Sequence, residues 1–153
     1  MPSNLSQERL CQQLVSEARD AIIFADREGI VRLWNRGAAE IFGHPEATAL
    51  GQSLDLIIPE PLRERHNQAY QRVMASGQTK YGQELLAVPG LRQDGARISL
   101  EFTITLIKDN QGRVLGAAAI IRDVTDRWHQ EKERQKRLAD LEARLASLAP
   151  SEA

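Results

Sequence analysis

A single cysteine, Cys11, is all the chain contains, so neither an internal disulfide nor a cysteine-based metal cluster can form. Aromatic residues make up 5% of the sequence, too few for a platform on which nucleic-acid bases stack. Lys and Arg number 20 against 21 Asp and Glu, a formal net charge of −1. That balance gives neither the basic excess of a nucleic-acid binder nor an acidic tail. No apolar run approaches the length of a membrane span, and the opening MPSNLSQERLCQQL lacks the apolar core of a signal peptide. A cytoplasmic protein without membrane contact is expected. At 153 residues there is room for one domain with one sizeable core.

Periodicity divides the chain into elements. Leu10, Leu14 and Ala18, widened by Cys11 and Val15, predict an amphipathic helix over about Leu5 to Ala18. AIIFAD (21–26) and IVRLWN (30–35), joined through Arg27-Glu28-Gly29, predict a hairpin. Asn35 is placed to cap a short helix that Gly43 ends. Short helical turns are expected from His44 to Ile58, and a longer helix between Pro61 and Gly77.

The second half is strand-like. Tyr81 to Val88 forms one run, with Pro89, Gly90 and Asp94-Gly95 marking its exit. In ARISLEFTITLIKD, Ile98, Leu100, Phe102, Ile104 and Leu106 alternate strictly with polar residues. GRVLGAAAIIRDVT is apolar on both faces, which predicts a central strand. Beyond it, Leu138, Leu141, Leu145 and Leu148 mark a short heptad seam in a charged helix, expected to dimerise. The division is an N-terminal helix over 1–18, a core domain over 19–125, a C-terminal helix over 126–149 and a tail over 150–153. Segregation of strands from helices indicates an α+β fold with a mainly antiparallel sheet.

One helix carries the functional question. In IIPEPLRERHNQAYQRVM (57–74), His66 falls on an apolar stripe with Leu62, Ala69, Tyr70, Val73 and Met74. An imidazole facing an interior is either a satisfied core residue or a ligand to something held there. His44, in a Gly-His-Pro turn, and His129, in the charged C-terminal helix, read as surface residues. No phosphate-cradling loop, nucleophile with a neighbouring base or paired carboxylates stand out, so no enzyme is expected.

The pieces AIIFADREGIVRLWN, GAAEIFGH, LIIPEPLRERH, RQDGARISLEFTITLI and GRVLGAAAIIRDVT, in that order over about Ser16 to Thr125, resemble a PAS domain of the S-box type. The resemblance implies a five-stranded antiparallel sheet wrapped against short flanking helices, with an internal pocket between them. Amphipathic helices stand at both ends. It also implies a sensor, in which Asp123-Val124-Thr125 passes signal into the C-terminal helix and on to a separate output protein. A homodimer through the terminal helices is expected.

The pocket's occupant is open. The flavin photosensors of this family require a cysteine near GQSLDLIIPE, which has none, and the coumarate-linked photosensors require one in the core, outside which Cys11 lies. A flavin held non-covalently, with Trp34 and Asn35 compatible, and an empty pocket remain alternatives. The sharper reading is haem b. Pro61-Leu62-Arg63-Glu64-Arg65-His66 is similar to the setting of the proximal histidine in rhizobial oxygen-sensor kinases, and neutral imidazole is a good iron ligand. The resemblance assigns the metal to His66 and a propionate contact to Arg72. Tyr70, Val73, Leu86, Ile104, Ala117, Ala119 and Ile121 would line the site, with Ile120 beside Ile121 on a dry distal side. No arginine matches the distal oxygen-stabilising one; Leu86 falls near its place.

Overall fold

The computed structural model describes residues 5–79 and 84–149 of the chain. It divides into two compact units, Met1–Asp123 and Val124–Ala153. The first contains α1 (Gln7–Glu17), β1 (Ala21–Asp26), β2 (Val31–Trp34), α2 (Arg36–Phe42) and α3 (Glu46–Ala49). Two 3₁₀ turns (Leu54–Ile57 and Glu60–Leu62) lead to α4 (Arg63–Ser76), followed by β3 (Leu86–Leu91), β4 (Arg97–Lys108) and β5 (Val114–Asp123). The second unit is one helix, α5 (Thr125–Leu148). No described helix is long and apolar enough to cross a membrane.

The strands form one antiparallel sheet in the order β2-β1-β5-β4-β3, with β5 central as its two-sided apolar character predicts. Three hairpin turns use one device. An aspartate side chain accepts backbone N–H groups two or more residues on, and a glycine with φ of 78°, 86° or 79° (Gly29, Gly95, Gly112) closes the turn. In the first turn, Asp26 accepts from the Glu28 and Ile30 amides and from Arg32 Nε at 2.8 Å. Burial raises the Asp26 carboxyl, but Arg32 and the two amides outweigh it and hold the group below its ordinary pKa.

Residues alternate across the sheet, so one face is common to Ile23, Ala25, Ala119, Ala117, Ile104 and Leu106. Rows run Ile104–Ala119–Ile23–Trp34 and Leu106–Ala117–Ala25–Val31. The short helices lie on this face. Trp34, Phe42, Val31, Ala38 and Ile57 pack there with Ile98, Leu100 and Ile121 into the buried core. The Trp34 and Phe42 rings stand 5.7 Å apart, and Trp34 Nε1 donates to the His44 carbonyl at 2.9 Å.

Among the described residues, one polar side chain is buried with this core. Asn35 is 5% exposed. Its Oδ1 accepts from the Ile22 amide (2.8 Å) and the Ala38 amide (2.9 Å), capping α2 as the sequence predicts. Its Nδ2 donates to the carbonyls of Val15 (2.8 Å), Asp20 (3.0 Å) and Ala18 (3.3 Å). The end of α1, the start of β1 and the start of α2 thus meet on one carboxamide. Beside it, Gly37 is pressed against the Arg19 and Asp20 carbonyls, where any Cβ would collide with backbone.

Three expectations are corrected. The third strand is Leu86–Leu91, later than the run from Tyr81 to Val88; Tyr81 lies outside the described residues. Pro89 and Gly90 are inside the strand, paired with Ser99 and Ile98. An edge strand tolerates proline because its outward amide needs no ladder partner, and Gly90 leaves space that Leu100 fills. Pro61 sits in the 3₁₀ turn before α4, one step earlier than the first turn of the helix. His44 is not a surface side chain: both its ring nitrogens are shielded from solvent without a hydrogen-bond partner among the described residues, and the ring meets Trp34 edge-on at 6.3 Å.

Asn35→Ala strands the Ile22 and Ala38 amides and frees three carbonyls of their donor. Urea unfolding should show a loss of about 2–4 kcal/mol. A midpoint within error of the parent would mean that the carboxamide joins nothing of consequence.

Candidate functional site

α4 is fixed along its length by contacts that sequence separation hides. Arg63 Nε donates to the Ile58 carbonyl at 2.9 Å, and Asn67 Nδ2 to Asp55 Oδ1 at 3.1 Å. The Tyr70 hydroxyl points at the Asp26 carbonyl (2.6 Å) and the Ala25 carbonyl (3.0 Å) at the end of β1. Burial raises the Tyr70 phenol to about 12, so it stays a neutral donor. At the helix end, Gly77 adopts a left-handed φ of 69° and lies against Val114 at the start of β5. These anchors set α4 against the sheet end where β1 finishes and β5 begins.

The inward stripe of α4 comprises His66, Tyr70, Val73 and Met74, continued by Leu62 in the preceding turn, and of these Met74 is buried. Ala69, expected on this stripe, is exposed. His66 is half-buried with its ring 6.0 Å from that of Tyr70. Its Nδ1 is shielded from solvent and has no hydrogen-bond partner among the described residues. A buried imidazole nitrogen left unpaired costs about 1–3 kcal/mol. Desolvation lowers the His66 pKa below its ordinary value, against the opposing pull of the Asn67 side chain and the Asp55 charge. His66 is therefore neutral near pH 7, the form that binds a metal.

The sheet places most of the predicted lining residues on one face. Ile104, Ala117, Ala119 and Ile121 share the inner face with Phe102 and Leu106, and Leu86 joins them opposite Phe102. Ile121 is buried in the core, but Leu86, Phe102, Ile104, Leu106, Ala117 and Ala119 are only partly buried. This part of the apolar face is thus partly exposed, unlike the core around Trp34 and Phe42. Ala117 and Ala119, with Ala25 beside Ala117 in the next strand, keep it shallow. Arg72 is exposed, away from the stripe. Ile120 is on the outer face at 51% exposure, so it lines nothing inside; the alternation that buries Ile121 turns its neighbour outward. Asp55 and Asn67, which hold α4 from outside, were not picked out from the sequence, because a contact across 12 positions in irregular structure leaves no periodic signal.

A lone imidazole cannot hold a bare metal ion, and no group of three or more metal-ligating side chains occurs among the described residues. It suffices for a metal already held by a macrocycle. The shielded Nδ1 of neutral His66, without a hydrogen-bond partner among the described residues, and the partly exposed apolar face fit such a group; Arg72, exposed and off the stripe, is not brought to it.

A five-stranded antiparallel sheet with short helices gathered on one face defines the α+β architecture of a PAS domain. The chain belongs to the PAS family: the family model described as PAS fold matches residues 15–129. It is 27% identical over 144 residues to Sensor protein FixL of Bradyrhizobium diazoefficiens, covering 94% of this chain and 27% of that protein. It is 31% identical over 149 residues to Signal transduction histidine-protein kinase AtoS of Escherichia coli, covering 94% of this chain and 22% of that one. The chain thus spans about a quarter of the length of these relatives. A solved PAS domain from Colwellia psychrerythraea superposes with a TM-score of 0.69 at 21% identity, covering 79% of this chain and 99% of that one.

The lowered His66 pKa has a measurable consequence. Below the ordinary histidine pKa the unfolded chain binds a proton that the folded chain refuses, so stability falls as pH drops toward the folded pKa. The urea midpoint of the unliganded protein should decrease between about pH 7 and about pH 5. His66→Gln should flatten that slope relative to the parent; an unchanged slope would place the proton elsewhere.

Proposed function

We propose that the domain is a sensor that holds haem b in the recess beneath α4, with His66 as the protein ligand to iron. The observation that carries this reading is the neutral His66 imidazole, whose shielded Nδ1 has no hydrogen-bond partner among the described residues, on a helix tied to a sheet with a partly exposed apolar face. The kinship with sensor and signal-transduction proteins supports it. Bound haem would supply an iron centre that answers to diatomic gases or to redox state.

The chain's own residues do the rest. Asp55 and Asn67 steady the turn of α4 that bears His66, and Tyr70 fastens the next turn to the β1 carbonyls. Ala117 and Ala119 leave room above β5. Because β5 runs on through Asp123 into α5, a shift of this central strand is carried along the chain into the output helix. The role is binding and relay rather than catalysis, in the cytoplasm, where the exposed Cys11 stays reduced. α5 would hand the signal to an output protein.

The test is the absorption spectrum of purified protein titrated with haemin. The expected result is a sharp Soret band at one equivalent that His66→Ala abolishes or weakens by at least about tenfold in affinity. Arg72→Ala should weaken binding less. A spectrum that ignores haemin, or a band indifferent to His66→Ala, contradicts the assignment and leaves a cofactor-free interaction module or a flavin binder.

A further inference from the structure

A cleft of about 600 Å³ lies between the end of α4 and the turns that close the β1–β2 and β4–β5 hairpins. It is contained in the first unit, and His66 is not among its lining residues. Small-molecule sites of this size pair an apolar floor with a few polar groups that fix orientation. Here the buried side chains of Met74 and Val114 supply the floor, and the two turns supply Arg27 and Arg113.

Both guanidiniums are held in place by the protein. Arg27 Nη1 reaches across 87 positions of the chain to donate to the Val114 carbonyl at 2.7 Å. Arg113 donates from Nε to Asp109 Oδ2 at 2.8 Å. Asp109 is fixed in turn by the Gln111 amide at 2.8 Å and the Arg113 amide at 2.9 Å. Each of these bonds engages one of five guanidinium donors and leaves the others for a ligand. A carboxylate fits that planar fork, and a fork fixed beforehand loses little freedom on binding it. Asp109 is the one acidic side chain of the lining. Its charge answers Arg113, so the three charged groups together leave one positive charge.

The α4 side of the cleft has the other sign. It is made by Ala75 and Ser76 in the last turn of the helix and by the capping Gly77. The last carbonyls of a helix lack intrahelical partners and carry the negative end of its dipole. No basic side chain stands in that turn to answer them. We propose that the cleft binds a small zwitterion, of which a free α-amino acid is the simplest. Its carboxylate sits on Arg27 and Arg113, its ammonium at the carbonyl end of α4, and its side chain over Met74 and Val114. A plain anion gains the arginines but meets the negative helix end, and a plain amine meets the arginines.

The site holds whatever His66 binds, so the two readings fail separately. The test titrates the full chain with each proteinogenic L-amino acid, followed through its backbone amides by ¹⁵N NMR. Isovalerate, inorganic phosphate and isoamylamine serve as probes that carry one sign of charge only. At least one amino acid should shift the Gly77, Gly112 and Val114 amides to saturation, and bind about tenfold more tightly than any of the three probes. Arg27→Gln and Arg113→Gln should each weaken it about tenfold. Ala75→Lys brings a cation to the helix end, so it should weaken the amino acid and strengthen isovalerate. Three results would each overturn the proposal: no saturable shift with any amino acid, phosphate or isovalerate binding as well as the best of them, or a best ligand indifferent to both arginine variants.

Discussion

One carboxamide sets the geometry on which the recess depends. The side chain of Asn35 makes five hydrogen bonds and joins the end of α1, the start of β1 and the start of α2. It fixes where β1 starts relative to α2. β1 in turn fixes the row that Ala25, Ala117 and Leu106 share, and its last two carbonyls receive the Tyr70 hydroxyl that holds α4. A buried amide is stabilising only when fully satisfied; here both its donor and its acceptor are used. Had Asn35 been apolar, the Ile22 and Ala38 amides would be left without this partner.

The fold is well closed on one side and open on the other. Trp34, Phe42 and Val31 are buried with the alanines and Ile57 around them. Elsewhere on the inner face Leu86, Phe102, Ile104, Leu106, Ala117 and Ala119 are only partly buried, and the shielded Nδ1 of His66 has no hydrogen-bond partner among the described residues. Both features cost stability, and a ligand of the kind proposed would offset that cost on binding. Places where a chain breaks its own packing rules are where function is expected.

Much of this was legible in the sequence where periodicity is strong. The alternation from Ile98 to Leu106 yields the inner face directly, and Asn35, Gly43 and Gly77 announce the helix ends at which they are found. The strand Leu86–Leu91 was not, because Pro89 and Gly90 read as punctuation although an edge position excuses both. Ile120 and Ile121 look equivalent in a run of apolar residues; only the pairing of Ala119 with Ile23 tells which one faces inward. His44 looked like a loop residue because nothing in Gly-His-Pro reveals that Trp34 will pack against it. The seat of α4 was invisible for a general reason: Asn67 on Asp55 and Tyr70 on β1 are long-range polar contacts, and composition does not encode those.

The proposed haem assignment rests on a neutral His66 imidazole whose shielded Nδ1 has no hydrogen-bond partner among the described residues. Histidine-selective ¹⁵N NMR observes that ring directly. In the unliganded protein His66 should remain neutral through pH values at which an ordinary histidine is already protonated, and adding haemin should displace or broaden its resonances while leaving those of His129 in place. A His66 ring that titrates like an exposed histidine, with resonances unmoved by haemin, would contradict the account.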